Sequence, residues 1–177
     1  NTDIIGNTID EIGHTITGMS RGGQGIYISS GTTSANVNIR NNIIGNLRGD
    51  GSSSVTSNSW GIICLSGSGY NIDNNTISID DNRQTTTNTD YSGGVYLASG
   101  MSGINFRNNI VHVPALPGNT TVGRMYGLYC AGTTSPFTIC NNNDYYLTPN
   151  SSVHQMAFLN SVNYSRLGDW QIGTNLD

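Results

Sequence analysis

Lysine is absent from the 177 residues, and all seven basic residues are Arg. That excludes a Schiff-base Lys and a phosphate-loop Lys. Charge of either sign is scarce: 10% of residues are charged, against about 25% in ordinary globular chains. The net charge is −4 with no basic cluster, which argues against nucleic acid as a partner. No apolar run approaches about 18 residues, so no membrane-spanning helix is expected. Three Cys give no disulfide framework. His14, His112 and His154 are too scattered to form a metal set, so no metal site is expected from them.

Gly is plentiful, at 23 residues, and Ser, Thr and Asn fill much of the remainder. Such a composition would suit a disordered chain, but the apolar residues are spaced too regularly for one. Four stretches repeat: Gly25-Ile26-Tyr27-Ile28 through Asn41-Asn42, Gly61-Ile62-Ile63-Cys64 through Asn74-Asn75, Gly94-Val95-Tyr96-Leu97 through Asn108-Asn109, and Gly127-Leu128-Tyr129-Cys130 through Asn141-Asn142. The Asn pairs are separated by 33, 34 and 33 residues. A fixed period of this length signifies stacked units. Residues 4–9 look like the tail of an earlier repeat, so the chain is read as opening mid-repeat within a longer protein.

Each repeat holds three short runs of period-two alternation, the mark of strands with one buried face. The expected inward pairs in the first run are Ile26 and Ile28, Ile62 and Cys64, Val95 and Leu97, Leu128 and Cys130. In the second they are Val37 and Ile39, Tyr70 and Ile72, Ile104 and Phe106, Phe137 and Ile139. The third run gives Ile77 with Ile79 and Val111 with Val113. Ile44 fits there too, with Leu47 reached through a local bulge. The last repeat needs a one-residue insertion to align Tyr145 and Leu147. Three strands per turn, each repeated one turn later, build a parallel coil with turns about 4.8 Å apart. Cys64 and Cys130 are then buried thiols. Cys140 takes an outward position and is the one expected to react. The Asn pairs form a tight corner, and Asn41, Asn74, Asn108 and Asn141 are read as a hydrogen-bonded structural ladder. Arg40, Asp73 and Arg107 alternate up an outward column as favourable cross-strand pairs. Residues 48–60, 80–93 and 114–126 are long loops leaving one edge of the coil, the side on which repeat proteins often bind.

The Gly-[Ile/Val/Leu]-[Tyr/Ile]-[Ile/Leu/Cys] strands and the [Ile/Phe]-x-Asn-Asn-x-[Ile/Val] corners resemble the right-handed parallel β-helix family, the pectate-lyase-like superfamily. Within it, the chain is most similar to large secreted or surface repeat proteins of Bacteroidota type. The tail Asn143-Asp144-Tyr145-Tyr146-Leu147 through Tyr164-Ser165-Arg166-Leu167-Gly168-Asp169-Trp170-Gln171 is similar to an ending found after such helices. Ser165 is expected to cap a short helix there, with Leu167 and Trp170 facing inward. The expectation is all-β: about five coils over residues 1–147, then a final rung and capping segment over 148–177. The resemblance implies an extracellular or cell-surface location. It also implies export through the outer membrane by type IX secretion machinery, and attachment to the remainder of a longer polypeptide.

The family includes lyases and hydrolases, which the resemblance implies would act through acidic or basic side chains in the long loops. Asp50, Asp80, Asp81 and Asp90 lie in neighbouring loops, and paired carboxyls would suit a glycosidase. Arg83 would serve a lyase as base, with Ca²⁺ held by Asp80, Asp81, Asn82 and Asp90. No spaced Ca²⁺ motif is present, and turn residues are the better reading of these acids, so no cofactor is expected. An outward column of Tyr27, Tyr96 and Tyr129, with Trp60 and Tyr91 beside it, suits stacking on sugar rings. The expectation is a non-catalytic structural or adhesive segment that contacts polysaccharide or cell-surface glycan through these rings. The alternative is a polysaccharide lyase or glycoside hydrolase working in the long-loop groove.

Overall fold

A computed structural model describes residues 1–14, 16, 18–29, 31–80, 91–117, 121–148 and 152–177. The chain is an all-β parallel solenoid. A partial turn, β1 (Thr2–Ile5) and β2 (Thr8–Ile9), precedes four complete ones. These are β3 (Gln24–Ile28), β4 (Val37–Arg40) and β5 (Ile43–Ile44); then β6 (Trp60–Cys64), β7 (Tyr70–Asp73) and β8 (Thr76–Ser78). Next come β9 (Tyr91–Leu97), β10 (Ile104–Arg107) and β11 (Ile110–Val113), then β12 (Arg124–Cys130), β13 (Phe137–Asn141) and β14 (Asp144–Leu147). The tail adds β15 (His154–Leu159), β16 (Val162–Tyr164) and α1 (Leu167–Thr174). About four turns therefore stand where about five were expected, because the opening turn contributes to only two of the three sheets.

The strands stack into three sheets. The first runs β3-β6-β9-β12-β15 with β16 at its end, the second β1-β4-β7-β10-β13, and the third β2-β5-β8-β11-β14. All pairs are parallel except β15 with β16. The inward residues form one column-built core, including Ile39, Ile62, Ile72, Val95, Phe106 and Leu128, each fully buried. Leu47 is also fully buried, as the bulge at Asn46 (φ 49°) allows. Gly25, Gly61, Gly94 and Gly127 recur because the chain there presses on the third sheet and the next turn. A Cβ on Gly94 would strike the Val111 side chain and the Gly127 carbonyl oxygen.

The corner between the second and third sheets differs in detail from expectation. Asn41, Asn74, Asn108 and Asn142 hold φ near +55° (55°, 57°, 54° and 57°) and are exposed. They supply the left-handed residue of the corner. The ladder is formed by the second Asn of the first three pairs, Asn42, Asn75 and Asn109, and in the last turn by Asn143, one residue beyond the pair. Asn42 donates its backbone N–H and Nδ2–H to Asn75 Oδ1 at 3.1 and 2.9 Å. Asn75 does the same to Asn109, and Asn109 to Asn143, all at 3.0 Å. Each Nδ2 also reaches back to a strand carbonyl one turn earlier, as from Asn75 to Ile39 at 2.9 Å. Asn41, Asn74 and Asn108 are thus corner residues, and Asn141 ends β13.

The last turn is out of phase by one residue. The β10–β13 register shifts after Ile104, so that Asn105 faces Ile139 and Phe106 faces Cys140. Ile139, expected inward, is 36% exposed, and Cys140, expected outward and reactive, is buried. Its thiol donates to Asp177 Oδ2 at 3.2 Å, and burial pushes its pKa up. Cys64 and Cys130 are free and buried as expected, and burial pushes Cys64 up to about 12. In α1 the N-cap position falls on Arg166, so Ser165 does not cap, and Leu167 is exposed. Trp170 is fully buried, edge-on to Tyr164 at 5.3 Å, and closes the end of the core.

The ladder predicts a sharp contrast within one Asn pair. Asn75→Ala strands the two donors of Asn42 in a buried site and should cost about 2–4 kcal/mol, whereas Asn74→Gly should change stability by no more than about 0.5 kcal/mol. Urea denaturation midpoints of the two variants check this.

Candidate functional site

The outward side of the first sheet carries the aromatic column, and parallel register sets its order. Tyr27 pairs with Ile63, Ile63 with Tyr96, Tyr96 with Tyr129, and Tyr129 with Phe158. Since turns lie about 4.8 Å apart, rings at matching positions must stack. Tyr96 and Tyr129 do so at 5.4 Å and 10°, and Tyr129 and Phe158 at 4.5 Å and 10°. Trp60 closes over the stack, 5.4 Å from Tyr96 and 5.9 Å from Tyr129. Tyr91 and Tyr126 pack edge to face at 5.7 Å, and Tyr126 meets Tyr129 at 4.9 Å.

Four of the five expected glycan-contact residues, Trp60, Tyr91, Tyr96 and Tyr129, therefore converge. What they form is a second hydrophobic cluster. Trp60 is fully buried, with its Nε1–H on the Val55 carbonyl at 2.9 Å, and Tyr96 is 7% exposed. Burial raises the pKa of the Tyr96, Tyr126 and Tyr129 hydroxyls, so these groups stay neutral. The stacked ring faces of Tyr96, Tyr129 and Phe158 are turned on each other. Tyr27 is the exception: Ile63 separates it from the stack and it is 49% exposed. Tyr126 and Phe158 belong to the cluster but were not singled out in the sequence. Their signals were present, since Tyr126 precedes Gly127 as Trp60 precedes Gly61, and Phe158 lies one turn on from Tyr129.

The other outward faces are likewise tied from turn to turn. On the second sheet, Asn105 donates to Asn71 at 2.8 Å, Asn71 to Asn38 at 2.9 Å and Asn38 to Asp3 at 2.6 Å. Beside them Asp73 takes a bidentate pair from Arg107, at 3.0 and 2.9 Å, and an ion pair from Arg40 at 3.2 Å. This is the expected Arg-Asp-Arg ladder. On the third sheet, Ser78 Oγ and His112 Nδ1 are 2.9 Å apart, and the His112 ring lies 4.9 Å from the Tyr146 ring, tilted by 46°.

Of the acids weighed for catalysis, Asp80 is exposed just beyond β8. Asp81, Asn82, Arg83 and Asp90 lie outside the described residues. Asp50 is buried and accepts the N–H groups of Ser20 and Arg21, both at 3.1 Å, binding one long loop to the loop of the preceding turn. Among the described residues no group of three His, Cys, Asp or Glu converges to hold a metal ion. No described helix is long and apolar enough to cross a membrane. No family model, no curated protein and no solved structure matches the chain.

Burial alone would raise the Asp50 pKa, but the N–H groups of Arg21, Ser20 and Met19 outweigh it and hold the carboxyl below its usual value. A folded pKa below the unfolded one gives stability that is full above about pH 4 and is lost as pH falls through the lowered value. Asp50→Asn should therefore cost about 1–2 kcal/mol at pH 7, with the gap to the parent protein closing as pH falls through the lowered carboxyl value. Urea midpoints measured across this pH range check it.

Proposed function

We propose that the chain is a non-catalytic rod segment of a larger extracellular or cell-surface protein, of the right-handed pectate-lyase-like β-helix type found in Bacteroidota-type surface proteins. One observation carries the reading: among the described residues, the aromatic, amide and paired Arg and Asp side chains on the outward sheet faces hold one turn to the next. The aromatic rings stack among themselves. The amides and the Arg-Asp-Arg set are bonded along their columns. A surface committed in this way gives stiffness and length. Export through the outer membrane by type IX machinery belongs to the same proposal, as does attachment to further polypeptide.

Glycan contact is the adhesive part of the proposal, and it centres on Tyr27. Its ring is half-exposed, and Tyr91 and Tyr129 offer further partly exposed rings on the same sheet. A polysaccharide panel assayed for new reducing ends and unsaturated products, with and without Ca²⁺, beside a glycan-binding array, tests the reading. No turnover is expected. Any glycan bound should be held about twofold to thirteenfold less tightly by Tyr27→Ala, the loss expected of about 0.5–1.5 kcal/mol of ring contact. Tyr96→Ala should instead cost about 3–5 kcal/mol of folding stability. Turnover abolished by Asp81→Ala or Arg83→Ala would overturn the proposal in favour of an enzyme.

A further inference from the structure

His154 opens β15, and parallel register places it in a buried column of the first sheet. It pairs with Met125, and Met125 pairs with Ser92 one turn earlier. Ser92 and Met125 are fully buried and neither titrates; His154 is 4% exposed and can take up a proton. Its Nε2 lies 2.8 Å from the Ala115 carbonyl oxygen, so the neutral ring keeps its proton there. Nδ1 is buried with no partner among the described residues. The neutral ring therefore makes one contact and leaves one nitrogen idle.

A proton passed from water to Nδ1 would put a buried charge beside no acceptor among the described residues. The described groups that could answer it stand elsewhere. On β12, Arg124 alternates with Met125 and so faces the other side of the strand. Tyr91 and Tyr126 belong to the outward ring cluster. On β14, Asp144 is exposed, and the Tyr145 hydroxyl donates to Asp177 Oδ2 at 3.0 Å. Asp177 is itself taken up by the ladder: its Oδ1 accepts the Asn143 N–H and Nδ2–H at 3.1 and 3.0 Å, in the place of a further Asn. Asp80, Arg166 and Asp169 are exposed. β16, whose one titratable residue is Tyr164, pairs with the far half of β15, Ala157 to Leu159. Burial accordingly holds the His154 pKa below its usual value, and the Ala115 contact offsets this only in part. A folded pKa below the unfolded one gives stability that is full above about pH 6.5 and is lost as pH falls through the lowered value.

We propose that β15 is an acid-opened rung with His154 as its trigger: a second proton on the buried ring drives the start of β15 off β12. The backbone bond nearest the ring is the Met125 N–H on the Val153 carbonyl oxygen, at 2.8 Å, and it is the first to part. The sheet makes the opening local. β9 is held between β6 and β12, whereas β15 has β12 on one side and on the other β16, which pairs with three residues away from His154. Opening uncovers Met125 and Tyr126, which are 0% and 2% exposed in the closed rung. Nothing in this device depends on whether the rod binds glycan.

Backbone amide exchange of the whole chain, followed by NMR and corrected for the intrinsic rate at each pH, tests the device. Protection of the Met125 amide should fall at least about fivefold between about pH 7.5 and about pH 5.5. The Gly93 and Ala98 amides, bonded to Ser59 and Cys64 of the preceding turn, should keep theirs. The fall should follow the titration of the His154 ring. His154→Gln, which offers Ala115 an N–H and cannot charge, should abolish it. A Met125 amide that stays protected in acid, or that loses protection equally in His154→Gln, would overturn the proposal. If His154→Gln does not fold, the parent protein decides alone: loss that tracks the ring titration supports the trigger, and loss at a different pH overturns it.

Discussion

A buried Asn amide carries two donor protons and an acceptor that water cannot reach, and each must find a partner or cost stability. In the column Asn42, Asn75, Asn109 and Asn143 every such group is matched, and the partners lie on the turns above and below. That requirement fixes the height of one turn against the next at the tightest corner of the coil. The left-handed Asn before each ladder residue reverses the chain within two residues, which aims the ladder side chain inward. With the corner pinned, register is held in the strands beside it, the shift in the β10–β13 pair falling at Ile104, away from the corner. The inward columns of Ile, Val, Leu and Phe then align as a consequence.

The same pinning explains the outward faces. Once position repeats with turn height, like side chains meet like, and a face acquires whatever chemistry stacks at about 4.8 Å. Tyr96, Tyr129 and Phe158 become a ring stack. Asn38, Asn71 and Asn105 become a second amide chain, and Arg40, Asp73 and Arg107 a charge-alternating one. A stack of this kind gains contact between turns and gives up ring faces to do so. The proposed rod role follows from that exchange, and Tyr27 stands apart because Ile63 interrupts the column beneath it.

The fold was legible because period two within runs and period 33 to 34 between them leave few architectures open. The inward residues Ile62, Val95, Phe106 and Leu128 could be named from alternation alone. Ile139 and Cys140 could not: the spacing shows that the last repeat holds one extra residue, but not that it falls before Ile139, and a one-residue shift inverts inside and outside. Which Asn of each pair turns and which bonds was equally hidden, as both residues are identical in type and only backbone φ separates them. Trp60 and Tyr96 were misjudged as surface because an outward strand position reads as solvent-facing unless a second layer covers it. Here the neighbouring rings are that layer. Asp177 had no precedent in the repeat, since its place in the ladder depends on where α1 delivers the chain.

Side-chain amide hydrogen exchange of the Asn residues, followed by NMR, tests the central claim most directly. The Nδ2 protons of Asn42, Asn75 and Asn109 should exchange only through global unfolding, while those of Asn41, Asn74 and Asn108 exchange about as fast as in a free peptide. Equal rates within each pair would contradict the account, because the ladder would then not be what holds the turns in register.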